Sequence, residues 1–500
     1  MKKLLCSILA AAMLCGCTAP TVQPTPSQTA ADDAAADRWM LEKGGLEISI
    51  PGGMAENAIT ATQEAEGHTV VRISTPGTYI LSGRLDAGQI AVDLGENAKN
   101  DPNATVTLVL DGVEISCSVA PAVIFYHVYE SGQPDGPAGA NVVLAEGSRN
   151  YVNGSHTEEY DGALYSRMSM NIGGTGSLHI TADNEGLCSE MHLTIDSGDI
   201  SIQSGNDGIN TNADGVSVTT INGGNLRIAV TGETGEGDGI DSNGSIVING
   251  GTVEAFACGT SMDSGIDADL GIQIHGGTVI ATGNMTDRID DGSQTHAVFS
   301  FEQSRQGGSY TLKTEAGDAL FEITAPDSFT NLLLSDPKLT EGDYTLWSGD
   351  TQFEGAIGGG FFGELQPIER PDRPGRGDGD VEIPPQPTVP IVTQGTVQPP
   401  SGEQPENMPV PPMPDGSENM PVPPMPEGSE NMPVPPMPDG GENMPVPPMP
   451  DGGENMPVPP MPQDGWNRQP VTVFPADGLM SDTFPIHIGA NHFYMVRPMA

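Results

Sequence analysis

Between Asn206 and Gln294, short runs of alternating apolar and polar residues recur along the chain. Ser245-Ile246-Val247-Ile248 and Gly271-Ile272-Gln273-Ile274 are two of them. Period-2 alternation is the mark of a strand with one buried face. Two motifs keep step with these runs. Asp207-Gly208-Ile209-Asn210-Thr211-Asn212 returns as Asp238-Gly239-Ile240-Asp241-Ser242-Asn243 and as Ser264-Gly265-Ile266-Asp267-Ala268-Asp269. Between them stand Ile221-Asn222-Gly223-Gly224, Ile248-Asn249-Gly250-Gly251 and Ile274-His275-Gly276-Gly277, with Gly-Gly pairs starting at 223, 250 and 276. Helix-forming runs are missing and Gly punctuates every few residues. A repeat of about 26 residues is the length of one β-solenoid coil. A single coil cannot bury its own apolar face, whereas coils stacked ~4.8 Å apart share one core. The pattern predicts an all-β chain, a parallel β-helix. Asp161-Gly162-Ala163-Leu164 and Glu185-Gly186-Leu187-Cys188 read as earlier members of the Asp-Gly-Ile series.

The same repeat aligns acidic side chains. With Ile209, Ile240 and Ile266 inward, the flanking positions point outward. Asp207, Asn210 and Asn212, then Asp238, Asp241 and Asn243, then Asp267 and Asp269 occupy corresponding places. Asp241 and Asp267 are expected side by side. Two such charges ~5 Å apart repel by roughly 3 kcal/mol at an effective dielectric of ~20. No Lys lies between Lys99 and Lys313 to relieve them. Hard oxygen ligands crowded on one edge suit Ca²⁺, and these eight residues are the expected ligand set. The same spacing also suits a solvated Asp/Asn turn ladder that needs no ion.

Several pieces of the chain resemble a known group. They are Gly77-Thr78-Tyr79-Ile80-Leu81-Ser82-Gly83, Leu108-Val109-Leu110-Asp111-Gly112-Val113, Gly173-Gly174-Thr175-Gly176-Ser177-Leu178 and the Asp-Gly-Ile repeats. Together they are similar to the bacterial carbohydrate-binding β-helix family described from a cellulolytic clostridium. The resemblance covers residues 69–350. It implies a right-handed parallel β-helix, bound calcium, and binding of plant polysaccharides such as acidic pectin and cellulose. The family also looks like polysaccharide lyases in fold. Cys188 and Gln294 depart from the Asp/Asn pattern, which places the ion sites in the middle coils.

Outside the repeats the chain changes character. Residues 1–17 read as a lipoprotein signal: Lys2 and Lys3, an apolar run from Leu4 to Leu14, and Leu14-Cys15-Gly16-Cys17 as the processing site. Lipidation of Cys17 would hold the protein on the extracellular face of the cell membrane. Residues 18–45 form a tether, 46–300 the β-helix domain, 301–350 a C-terminal β cap rich in Phe. Residues 351–465 are a Gly/Pro-rich linker in which Glu-Asn-Met-Pro-Val-Pro-Pro-Met-Pro recurs every 12 residues from Glu406. Pro at this density imposes extended polyproline II, so a disordered Pro-rich tail is expected. Residues 466–500 regain strand character.

Net charge sharpens the functional reading. At −48 the chain excludes nucleic acid, which demands a basic face. It should also repel an acidic glycan, unless Ca²⁺ shares ligands between protein and uronate carboxylates. The expected partner is thus an acidic plant or cell-wall polysaccharide, bound by a monomer. A lyase would need a base against the sugar's acidic C–H. The repeats offer no Lys and only Arg167, Arg227 and Arg288, and Arg is a poor base. Paired carboxylates could serve a glycosidase. The aperiodic Asp287-Arg288-Ile289-Asp290-Asp291 is the best such cluster, because turns already explain the periodic Asp. Catalysis is not expected. A lyase or hydrolase, and a structural rod without sugar binding, stand as alternatives.

Overall fold

The computed structural model describes residues 37–41, 45–55, 57–64, 67–290, 292–357 and 479–498. Its elements are strands, apart from one short 3-10 turn at Glu96–Asn100. The strands form one sheet of 25 and one of nine.

The repeats build parallel ladders in strict register. Ile172, Ile195, Ile221, Ile248 and Ile274 follow one another on successive strands. A second ladder aligns Leu178, Ile200, Leu226, Val253 and Val279. In the nine-stranded sheet the column is Ile90, Val123, Leu164, Leu187, Ile209, Ile240 and Ile266. All three columns are buried and face one hydrophobic core. Each such side chain contributes on the order of 1.5–3 kcal/mol on burial. Cys117, Cys188 and Cys258 are buried, free thiols.

The Gly-Gly motif has a steric cause. Gly251 turns the chain at φ +82, and a Cβ there would lie 2.6 Å from the Gly224 carbonyl oxygen of the preceding coil. Only glycine satisfies both the left-handed backbone and the close approach.

The expected right-handed parallel β-helix, a solenoid ended by a discrete C-terminal β cap, is corrected by the sheet topology. Both sheets are mixed, and neither forms a closed coil of repeats. Thr278–Gly283 pairs antiparallel with Phe329–Ser335, which pairs antiparallel with His296–Arg305. Ala490–Pro498 adds parallel to His296–Arg305 and antiparallel to Thr351–Ile357. The strands expected to sit on the repeat as a cap therefore extend its sheet. At the other end, Asp37–Met40, within the expected tether, pairs antiparallel with Glu47–Ile50, and that strand with Gly77–Leu85. The reason is general: an unpaired sheet edge leaves backbone groups open, and antiparallel strands complete it.

Phe299, Phe321 and Phe329 are fully buried in a second cluster with Phe353, Phe484 and Phe493, so they serve packing. The signal segment, most of the tether and the Pro-rich repeats lie outside the described residues.

Candidate functional site

The outward face of the nine-stranded sheet carries the acidic residues. One column runs Cys188, Asn210, Asp241, Asp267 on successive parallel strands. Strand entry places Glu185, Asp207 and Asp238 beside it. Asp207 Oδ1 accepts from the Asp238 amide at 2.8 Å, and Asp238 Oδ1 accepts from the Ser264 amide at 2.5 Å. Asp207 and Asp238 thus each receive a backbone N–H from the following repeat and are fixed in place. Asn210 Nδ2 donates to Glu185 Oε1 at 3.0 Å and Asp207 Oδ2 at 3.2 Å.

Of the eight expected ligands, the fold gathers three most tightly. One carboxylate oxygen each from Asp238, Asp241 and Asp267 lies within 4.8 Å of the others. Asp207 and Asn210 adjoin this trio. Asn212 and Asn243 are drawn elsewhere: Asn212 Nδ2 donates to Glu190 Oε1, and Asn243 Nδ2 to the Asn212 carbonyl and Asp214 Oδ1. Asp269 is exposed at the edge strand. Cys17 lies outside the described residues.

Glu185 is a further candidate ligand, outside the eight expected from the sequence. It is 5% exposed, and its Oε2 accepts no hydrogen bond among the described residues. Asn210 Oδ1 is likewise buried and without a donor. Glu185-Gly186-Leu187 belongs visibly to the repeat series, so the signal was present; the neighbouring Cys188 masked it.

Burial favours the protonated form of these carboxyls. Desolvation, then the charge of Asp207, pushes the Asp241 carboxyl up to about 8. Desolvation and Asp161 push Glu185 up to about 7. Asp207 and Asp238 rise well above the carboxylate range, again chiefly from burial. A divalent cation fits this set. Ca²⁺–O distances of about 2.4 Å place the ligand oxygens of one ion up to ~4.8 Å apart, and the trio falls inside that span. The donors are all hard oxygens, and two buried oxygens lack a positive partner.

Within the aperiodic acidic cluster, of which Asp291 lies outside the described residues, Asp287 has a structural task. Asp287 Oδ2 accepts from the Ala268 amide at 3.1 Å, closing the edge of the last strand of the sheet. Ile289 bridges to Ile272.

Residues 66–350 match the family described as "Carbohydrate-binding domain-containing protein". A protein of that description from Acetivibrio thermocellus is 30% identical over 142 residues, which are 27% of this chain and 44% of the relative. The match thus spans less than half of the relative's length. Among solved structures, a "polysaccharide lyase-like protein from C. thermocellum, Gadolinium derivative" overlays 47% of this chain and 86% of its own at 22% identity and a TM-score of 0.32, a likeness too loose to carry a functional conclusion.

Proposed function

This chain belongs to the family of carbohydrate-binding domain-containing proteins, and from that premise we propose that it binds an acidic polysaccharide through Ca²⁺ held on the outward face of its nine-stranded sheet. The observation that carries the reading is the gathering of Asp238, Asp241 and Asp267 within 4.8 Å, with strand register pairing Asp241 and Asp267 and Asp238 at the entry to the same strand. Asp207, Asn210 and Glu185 complete the oxygen set. A bound ion would neutralise the stacked carboxylates and offer open coordination positions to a sugar carboxylate. The protein's own part is to hold the oxygens by backbone hydrogen bonds and to exclude water from Glu185 and Asp207. The surplus of acid along the chain makes the cation a requirement for a uronate ligand.

In this reading the chain works as a monomer on the extracellular face of the membrane, anchored by lipid on Cys17. The Lys2–Cys17 pattern supports the anchor.

Calorimetry of the mature chain with polygalacturonate tests the proposal. Binding should appear with Ca²⁺, vanish with EDTA, and be lost in Asp241→Asn. Binding that persists unchanged after chelation overturns it.

A further inference from the structure

At the opposite end of the same nine-stranded sheet, the outward face changes chemistry. The column containing Asp267 and Asp241 continues, in register, through Asn210, Cys188, Tyr165, Ile124 and Ala91 to Arg72. Arg72 is six strand spacings from Asp241, or ~29 Å. There the surface opens into a cavity of about 320 Å³ lined by Tyr126, Tyr160, Arg72, Gln89, His68 and Thr157, among others.

Each of these groups suits a hydroxyl-rich ring. Tyr126 and Tyr160 meet edge to face at 5.5 Å, and Tyr160 is braced in turn by Tyr165 at 5.2 Å, so the aromatic wall is rigid. Arg72 is held through one nitrogen by Asp93 Oδ2 at 2.6 Å, and Asp93 Oδ1 meets His127 Nδ1 at 2.9 Å. The Arg72 side chain is still nearly half exposed, and its guanidinium has further donors for a ligand. Gln89 is 5% exposed and fixed by donating to the Pro121 carbonyl at 2.9 Å. His68 Nδ1 is shut from water and has no hydrogen-bond partner among the described residues.

We propose that this cavity is a second saccharide subsite, one that takes a neutral pyranose unit without any cation. Apolar C–H faces pack on the tyrosine wall while Arg72, Gln89 and Thr157 meet the hydroxyls. A uronate is disfavoured here, because Glu64 lines the cavity and Asp93 pairs with Arg72, offsetting its charge. The two ends of one sheet face then select a heteropolysaccharide: acidic units at the carboxylate ladder, a neutral unit or branch at the tyrosine cavity. The subsite itself rests on the cavity alone; only the selection of a mixed polymer rests on the calcium reading above.

An array of immobilised neutral oligosaccharides (gluco-, galacto-, manno- and rhamno-configured), probed with the mature chain in EDTA, tests it. The expected result is retention on at least one neutral series, about tenfold weaker in Tyr160→Ala and in the exposed Arg72→Gln. Asp241→Asn should retain the wild-type signal on the same spots. Circular dichroism establishes that the variants are folded, and Arg72→Gln serves if Tyr160→Ala is not. Absence of wild-type retention on every neutral series overturns the subsite, as does retention indifferent to the folded variants. Polygalacturonate binding with Ca²⁺ is read separately, so loss of either site is told apart from loss of the other.

Discussion

Asp241 lies directly beside Asp267 on the neighbouring parallel strand, with Ile240 and Ile266 paired beneath them in the core. The buried isoleucines make the register costly to shift, because a one-residue slip would send them to solvent. Apolar packing thereby holds two carboxyl groups together. Replacing Asp241 by Asn should stabilise the cation-free protein at neutral pH by ~1–3 kcal/mol, because Asn does not have to be kept from ionising beside Asp267. It should also abolish most of the Ca²⁺-induced rise in Tm. Urea unfolding in EDTA and in Ca²⁺ reads both effects.

Stability of the cation-free protein should fall as pH rises. Unfolded Asp and Glu titrate near 4. In the fold, Glu185 is raised to about 7 and Asp241 to about 8, so the native state binds more protons across that interval. Raising pH from about 4 to 8 therefore favours the unfolded state. Each kcal/mol lost lowers Tm by roughly 2–4 °C in a domain of this class. Saturating Ca²⁺ should flatten the profile, and its binding should release protons near pH 6.5. Thermal scans at several pH values in EDTA and in Ca²⁺ measure this; a flat profile in EDTA contradicts it.

Gly251→Ala should destabilise the fold by more than ~1–3 kcal/mol, the strain of the left-handed backbone alone. The added Cβ would also meet the Gly224 carbonyl oxygen at 2.6 Å. Gly215 has φ +67 with nothing within 4 Å, so Gly215→Ala should cost only about 1–2 kcal/mol. Equal losses in a denaturant titration would remove the close-stacking argument.

Asn150 is fully buried, and its Oδ1 accepts from the Gly112 and Val113 amides at 2.9 and 3.1 Å. Its Nδ2 donates to Ser148 Oγ and the Ser177 carbonyl. Asn150→Ala leaves two backbone amides without an acceptor and should cost about 2–4 kcal/mol. The corresponding loss in unfolding free energy checks it.

Cys17→Ser should move the full-length protein from the membrane fraction to the soluble one and remove incorporation of labelled fatty acid. Fractionation of expressing cells reads this directly.

The sequence by itself determined the strand content, the inward columns around Ile221, Ile248 and Ile274, and the neighbourly position of Asp241 and Asp267. Those follow from a repeat whose hydrogen bonding and side-chain alternation are local and periodic. The tertiary structure alone decided how the repeats end. Phe329–Ser335 and Ala490–Pro498 join the sheet from far along the chain, and no period in their residues announces a partner. It alone drew Asn212 and Asn243 into neighbouring turns and buried Glu185 with an unmatched oxygen. It alone brought Arg72, Tyr126 and Tyr160 around one cavity. Stacking of identical units can be read from spacing, whereas sheet edges, desolvation and cavities arise only when distant segments compete for the same space and the same backbone partners.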